Sequence, residues 1–276
     1  MTTADLLNAA AKILDQAGVE NPRREARLLL GLAFGTQIVG TQKPDATILA
    51  AFDSFVMRRA TREPFAYIAG RREFWSLEFA VGPGVLIPRP DSETLIDAAL
   101  KFFPDRAAKL DILDLGTGSA CLPRAACLEF LNARAVAVES SPGAAPWAAA
   151  NIAAHTAHCT LVQADWNSAD PGRFDLLFCN PPYIPSAEVG GLAPEVARFE
   201  PRAALDGGPD GLDAYRSLAW RITRFLKPGG HALIELGAGQ GAAVSALFAA
   251  QGLKTLAILP DLAQIPRCLV LRPEEP

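Results

Sequence analysis

The segment Asn180-Pro181-Pro182-Tyr183 directly follows the apolar run Leu176-Leu177-Phe178-Cys179. It sets a side-chain amide and a rigid turn at the mouth of a predicted central strand, the end of an open α/β sheet where ligands bind and react. Asn180 can accept a hydrogen bond through its side-chain oxygen, and the Pro181 carbonyl is a second acceptor. Two such acceptors would grip both hydrogens of an NH₂ group and aim its nitrogen, with Tyr183 as a flat surface for the attached side chain. An amide nitrogen is a poor nucleophile because its lone pair is delocalised. Held against an activated methyl group, it can react in line through proximity and electrostatics, losing its proton afterwards without a prior general base. Taken alone, the four residues are equally a proline-rich turn closing a buried strand, so a second site must support the chemistry.

A companion feature lies upstream. Ile112-Leu113-Asp114-Leu115-Gly116-Thr117-Gly118-Ser119 reads as a strand followed at once by a glycine turn. Missing Cβ atoms permit a tight bend and close backbone approach to a ligand, although such turns also make ordinary strand-to-helix connections. No lysine follows to neutralise phosphate, so the turn is not a phosphate-binding P-loop. Asp114 places negative charge beside the turn, which suits a cationic or hydroxyl-rich ligand better than a pyrophosphate. Glu139 ends the next predicted strand, about 20 residues on, where a carboxylate can accept both ribose hydroxyl hydrogens. Asp165-Trp166 follows a third strand and offers a carboxylate to an adenine amino group and an aromatic surface. Glu139 as an acid at a helix N-terminus and Trp166 as interdomain packing are the plainer readings. Three such residues after three consecutive strands together outline a nucleoside pocket.

These residues need a sheet to position them. Apolar runs predict strands at 111–115, 135–139, 160–163, 174–179, 231–236 and 268–271, with helices such as 147–154, 212–225 and 242–250 between them. Buried strands with helical crossovers imply a mainly parallel sheet covered on both faces. Phe74, Trp75, Leu77, Phe79 and Val81, followed by Gly82-Pro83-Gly84, predict a β-hairpin leading to 85–87. Pro88-Arg89-Pro90 then stiffens the entry to a helix holding Glu93, Leu95, Ile96 and Leu100. The first 70 or so residues read as helical. Leu6, Leu7, Ile13 and Leu14 fit a first helix ending near Gly18, Asn21-Pro22 resembles a cap before a second, and a third runs from Asp45 to about Arg59. The expected division is a helical domain at 1–72, a hairpin connector at 73–88 and the sheet domain at 89–276.

Composition narrows the partners. With 276 residues, half of them hydrophobic, and a net charge of -4, the chain can fill a large core and is not dominated by nucleic-acid backbone contacts. Arg58, Arg59, Arg62, Arg71 and Arg72, opposed mainly by Glu63, form either a solvated helix face or a docking surface for an acidic or RNA-bound partner. The five Cys, at 121, 127, 159, 179 and 268, show no CxxC pair and read as core thiols of a reducing compartment. His155, His158 and Cys159 have no second half of a metal site, so no metal is expected. No basic segment feeds a long apolar one at the N-terminus, and no stretch reaches about 18 uninterrupted apolar residues. A soluble cytoplasmic protein without a membrane partner is expected.

Over essentially its whole length the chain resembles the N5-glutamine methyltransferases that modify the GGQ-motif glutamine of bacterial peptide chain release factors. The segments that carry the resemblance are Val85-Leu86-Ile87-Pro88-Arg89-Pro90-Asp91-Ser92-Glu93, Asn180-Pro181-Pro182-Tyr183-Ile184-Pro185 and Arg198-Phe199-Glu200-Pro201-Arg202-Ala203-Ala204-Leu205-Asp206-Gly207-Gly208. The resemblance implies an α/β class I methyltransferase fold: a Rossmann-like, mainly parallel sheet with an antiparallel edge hairpin. It implies S-adenosyl-L-methionine as methyl donor, S-adenosyl-L-homocysteine as product, and a helical domain that recognises the release factor; a monomer is expected. By the same resemblance, Asp114, Gly116, Thr117, Gly118, Glu139, Asp165, Trp166 and Asn180 match positions around the donor. Asn180, Pro181 and Tyr183 would position the glutamine amide. Residues 198–206 would close part of the substrate channel, with Pro182, Arg198 and Glu200 on the substrate side.

Asn-Pro-Pro-Tyr also occurs in adenine-N6 methyltransferases, which would need a channel for a flipped or single-stranded base. A noncatalytic partner-binding module is the other alternative. It draws on Ala120, which stands for the third glycine of the cofactor turn, and on Pro123 and Pro146; Glu139 for aspartate and Gln264 for a glycine are further departures from the family pattern. Pro123 and Pro146 both fall within expected helices, where proline costs about 3 kcal/mol outside the first turn. Pro123 would escape that penalty near a helix N-terminus, whereas Pro146 would not if Ser141 caps its helix and Pro142 starts it.

Overall fold

The computed structural model describes residues 2–35, 43–154 and 158–274. They fall into two compact units, Met1–Gly70 with Ala193–Phe199, and Arg71–Leu192 with Glu200–Pro276.

The first unit is helical: α1 (Thr3–Gln16), α2 (Pro22–Ala33), α3 (Ala46–Ala60) and α4 (Phe65–Ala69). Thr2 and Asp5 close a reciprocal capping box on α1, and Asp45 accepts the Ile48 N–H at 2.9 Å to cap α3. Asn21 stands at the cap of α2, but with φ 50° its side chain makes no capping bond; Pro22 alone starts that helix. Leu14, Leu29, Leu30, Phe52 and Val56 form the core. Three of the five clustered arginines, Arg58, Arg59 and Arg62, make ion pairs inside this unit. Arg59 pairs with Glu25 at 2.8 Å and Glu195 at 2.9 Å, Arg62 with Glu195 at 2.6 Å, and Arg58 with Glu63 at 2.6 Å. Arg71 and Arg72 belong to the second unit, where Arg71 pairs with Glu78 at 3.3 Å.

The second unit opens on an antiparallel hairpin, β1 (Arg71–Phe74) and β2 (Leu77–Ala80). Trp75 and Ser76, both at positive φ, make its two-residue turn. There follow α5 (Glu93–Phe102), β3 (Asp111–Leu115), α6 (Cys121–Glu129), β4 (Arg134–Glu139), α7 (Ala145–Ala153), β5 (Cys159–Gln163) and β6 (Phe174–Cys179). After α8 (Pro194–Phe199), the helix of the segment that joins the first unit, come α9 (Asp213–Ala219), α10 (Ile222–Phe225), β7 (Leu226–Glu235), α11 (Gly241–Ala249), β8 (Leu253–Pro260) and β9 (Pro266–Pro273).

Seven strands form one sheet in the order β5-β4-β3-β6-β7-β9-β8. The first five are parallel to one another, and β9 runs antiparallel to both β7 and β8, giving the expected edge hairpin. Side chains alternate along the central strands, so Ile112 and Phe178 pack with Leu95, Leu122 and Phe130 on one face. Leu113 and Leu177 pack with Tyr215, Phe225 and Phe248 on the other. Both faces are covered, as parallel strands require.

The local departures resolve on the backbone. Pro123 is the third residue of α6 and Pro146 the second of α7, positions whose N–H groups have no helical partner to lose. The helix after β4 therefore begins at Ala145, not at Pro142; Ser141 instead closes a turn by accepting from Gly143 and Ala144. Ala120 and Gln264 both hold left-handed backbone, with φ 63° and 64°. Ala120 is buried at the cap of α6 and is not among the residues lining the pocket described next, so its cost falls on the backbone and not on pocket width.

Candidate active site

β3 and β6 are parallel neighbours, with Leu115 opposite Cys179, while β4 pairs with the other side of β3. Successive crossovers thus run in opposite directions from β3, and a crevice opens past the ends of β3 and β6. Gly116 and Asn180 are the first residues beyond those ends. A cavity of about 320 Å³ occupies the crevice, lined by Gly116, Gly118, Glu139, Asp165, Trp166, Asn180 and Pro182, with Ser92, Arg89, Ala203 and Ala204 among the others.

One wall is built from the ends of β3, β4 and β5. Glu139 is buried, and its two oxygens accept the Gly118 and Ser141 N–H groups, each at 2.8 Å. That fixes the carboxylate while leaving lone pairs for hydroxyl donors. Trp166 is held by its indole N–H, which donates to Ser217 Oγ at 3.1 Å. Its ring covers the glycine turn so closely that a Cβ on Gly116 would lie 3.0 Å from it. Beneath the turn, Asp114 accepts the Thr117 hydroxyl at 2.5 Å through Oδ2, while its buried Oδ1 has no partner. Burial pushes the Asp114 carboxyl up to about 7, with Thr117 opposing and Glu139 adding to the rise. A fixed carboxylate, a flat aromatic wall, a Cβ-free cradle and an unpartnered buried acidic oxygen fit a cationic nucleoside.

The opposite wall is the Asn180 turn. Asn180 Nδ2 donates to Ser92 Oγ at 3.2 Å, Ser92 Oγ donates to Glu235 Oε2 at 2.5 Å, and Tyr183 donates to Glu235 Oε1 at 3.1 Å. Burial pushes the Glu235 carboxyl up to about 7, opposed by Ser92, Arg267 and Tyr183. Burial and Glu235 push the Tyr183 phenol up as well, so it stays a donor. Asn180 Oδ1 and the Pro181 carbonyl accept nothing from the described residues, which leaves two acceptors at the turn.

The backbone of this turn is clamped from behind. Ile184 N–H donates to Leu205 O at 3.0 Å, Gly207 N–H to Ile184 O at 2.8 Å, and Gln240 Nε2 to Tyr183 O at 3.0 Å. A Cβ on Gly207 would stand 2.8 Å from both Pro182 O and Tyr183 Cα, so only glycine permits this approach. Pro201, Ala203 and Ala204 then reach the cavity.

The crevice thus brings together Gly116, Gly118, Glu139, Asp165, Trp166, Asn180 and Pro182. Asp114 and Thr117 lie below the turn, and Tyr183 points its hydroxyl at Glu235. Glu200 is buried and serves Ile87 N–H at 3.0 Å and Arg89 at 2.5 Å; Arg198 lies on α8, with the helical unit. Sequence reasoning gave no role to Ser92 or Glu235. The available signal was a lone carboxylate ending the apolar run His231-Ala232-Leu233-Ile234-Glu235.

All five cysteines are free thiols. Burial pushes Cys121 and Cys159 up to about 12 and Cys127 to about 11, and lifts Cys179 and Cys268 as well. Among the described residues no cluster of His, Cys, Asp and Glu could hold a metal ion, and no helix is long and apolar enough to cross a membrane. His155, named with His158 and Cys159 above, lies outside the described residues.

Residues 5–70 match the family model described as PrmC N-terminal domain, and residues 92–194 match the methyltransferase small domain. The release factor glutamine methyltransferase of Geobacter sulfurreducens is 43% identical over 91% of this chain and 89% of its own length. That of Moorella thermoacetica is 40% identical over 100% of both chains. Among solved structures, a methyltransferase from Pyrococcus furiosus superposes with a TM-score of 0.51 at 17% identity, covering 79% of this chain and 96% of its own, a likeness of fold.

Proposed function

The chain belongs to the release factor glutamine methyltransferases, and we propose that it methylates the side-chain amide nitrogen of the GGQ-motif glutamine in bacterial peptide chain release factors. S-adenosyl-L-methionine, when bound, supplies an electrophilic methyl group and leaves as S-adenosyl-L-homocysteine. Gly116, Gly118, Glu139, Asp165 and Trp166 would hold it, with Asp114 and Thr117 bracing the turn from below. The observation that carries the reading is the pair of acceptors at the strand end, Asn180 Oδ1 and Pro181 O, which take no hydrogen bond from the described residues.

Those acceptors hold the two N–H bonds of the substrate amide and leave its nitrogen facing the donor side of the crevice. Positioning supplies most of the acceleration, because no proton need leave before the new N–C bond forms. The lone pairs of Asn180 Oδ1 and Pro181 O stabilise the positive charge that develops on nitrogen and its two hydrogens, and the proton passes to water afterwards. Tyr183, fixed by Glu235, braces the turn. Pro182, with Ala203 and Ala204, walls the glutamine side chain, and Glu200 holds the Arg89 segment beside it. In this reading the helical unit, with Arg198 on α8, recognises the release factor. The chain acts as a cytoplasmic monomer, without a metal ion and without direct nucleic-acid contact.

Incubation with a purified release factor and labelled donor, followed by tandem mass spectrometry, is expected to place one methyl group on the GGQ glutamine. Asn180→Ala should cut transfer by about 100-fold while donor binding by calorimetry changes little. Label on an oligonucleotide and not on the release factor, or an equal loss of binding and transfer, would reverse the reading.

A further inference from the structure

The geometry points to Ser92 and Glu235 as positioning residues that fix which end of the Asn180 amide faces the crevice. This rests on the proposed amide transfer. An asparagine amide fills nearly the same space when its oxygen and nitrogen exchange places, so shape alone does not choose between an acceptor and a donor at the site. Its hydrogen-bond partners choose. A donor NH₂ facing the crevice would meet the substrate NH₂ with like ends and leave its nitrogen unheld.

The choice is enforced by counting protons. Glu235 as a carboxylate only accepts, and both its oxygens are engaged, Oε2 by Ser92 and Oε1 by Tyr183. A serine hydroxyl has one proton. Given to Glu235, that proton is not available to Asn180, so Ser92 Oγ can only accept from it. Asn180 must then direct Nδ2 at Ser92, as found at 3.2 Å, and Oδ1 turns to the crevice. The relay spans three separate parts of the chain: Ser92 ahead of α5, Asn180 after β6 and Glu235 at the end of β7. Ser92 and Glu235 are 3% and 1% exposed, so their hydrogen bonds are shielded from bulk water.

Three variants test the relay: Ser92→Ala removes the acceptor, Ser92→Thr keeps the hydroxyl, and Glu235→Gln keeps shape while adding a donor that frees the serine proton. In the release-factor assay, Ser92→Ala and Glu235→Gln are expected to lower kcat by about tenfold or more, and Ser92→Thr by less than about threefold. KM for the release factor and donor affinity should stay within about twofold of wild type. A second readout needs neither donor nor release factor. The Asn180 side-chain NH₂ resonances, identified by their loss in Asn180→Asp, should exchange with solvent about tenfold faster in Ser92→Ala than in wild type and Ser92→Thr. Wild type and Ser92→Ala with the same kcat, or with the same NH₂ exchange, overturn the relay. A wild-type chain that transfers no methyl group to a release factor defeats the proposed function instead, and the exchange readout still decides the orientation of Asn180.

Discussion

Trp166 lies over Gly116 so closely that a Cβ added there would stand 3.0 Å from the indole Cζ3. Gly116 also sits at φ 71°, in the left-handed region. Gly116→Ala therefore meets two penalties, a backbone cost of about 1–2 kcal/mol and a push against a ring that Ser217 holds in place. Thermal denaturation should register the first. Calorimetry with S-adenosylmethionine should register the second as an affinity at least tenfold weaker, by about 1.4 kcal/mol or more. An unchanged affinity would remove the glycine turn from the donor site.

Glu235 makes stability and transfer respond to pH in opposite directions. Burial pushes its carboxyl up from 4.5 to about 7, with Ser92, Arg267 and Tyr183 opposing and Asp91 adding to the rise. Between those values the folded chain holds a proton that the unfolded chain releases. The stabilisation is complete below about pH 4.5 and is lost as pH climbs to about 7, amounting to about 3 kcal/mol. Asp114, pushed to about 7 mainly by burial, acts with the same sign. Transfer gains over the same interval, because only the carboxylate accepts from Ser92 and Tyr183 together. Melting temperature should fall and kcat should rise between about pH 6 and pH 8; Glu235→Gln should flatten the kcat slope and reduce that of the melting temperature, which Asp114 still sustains. A wild-type kcat that is level across the interval would contradict this.

Ala120 and Gln264, two departures from the family's glycine pattern, share left-handed backbone but not surroundings. Gln264 is exposed, so Gln264→Gly relieves strain and loses little packing. A gain of about 1 kcal/mol is expected. Ala120 is fully buried; removing its methyl group gives back about 0.8 kcal/mol of burial against a similar relief. Thermal denaturation should show a higher midpoint for Gln264→Gly and little change for Ala120→Gly. The opposite order would mean that the Ala120 Cβ, and not its backbone, strains the turn.

What could be read in the sequence is what the chain writes locally. A strand, its glycine turn and Asp114 are contiguous, and Asn180-Pro181-Pro182-Tyr183 is one short segment, so these segments could be singled out before any fold. The parallel sheet followed from the same apolar runs. The relay was not legible, because Ser92 and Glu235 are 143 residues apart and each looks ordinary where it stands. β8 escaped because its half-exposed, irregular pattern lacks the continuous apolar run of the central strands. The partners of Arg59 and Arg62 were hidden for a related reason: Glu63 is close in sequence, but Glu25 and Glu195 reach those arginines only after folding.

Glu195 is the acid on which that cluster depends. Burial pushes its carboxyl up, yet the hydrogen bonds and charges of Arg62 and Arg59 outweigh burial and hold it at about 2. A depressed carboxylate stabilises above its ordinary value of 4.5 and loses that contribution as pH falls through about 2, so the pair is fully formed at neutral pH. Glu195→Gln keeps the shape and removes the charge, leaving Arg59, whose side chain is 8% exposed, with the Glu25 carboxylate and the Glu63 carbonyl. Breaking a mostly buried pair in this way should cost about 2 kcal/mol, below the 3–5 of a fully buried one. Glu63→Gln is the internal comparison: its partner Arg58 is 41% exposed, and the loss should stay under about 1 kcal/mol. Hydrogen exchange at the amides of α2 and α3 reads both in the intact chain, and equal protection in the two variants would show that the ion pairs of Glu195 do not hold the helical unit together.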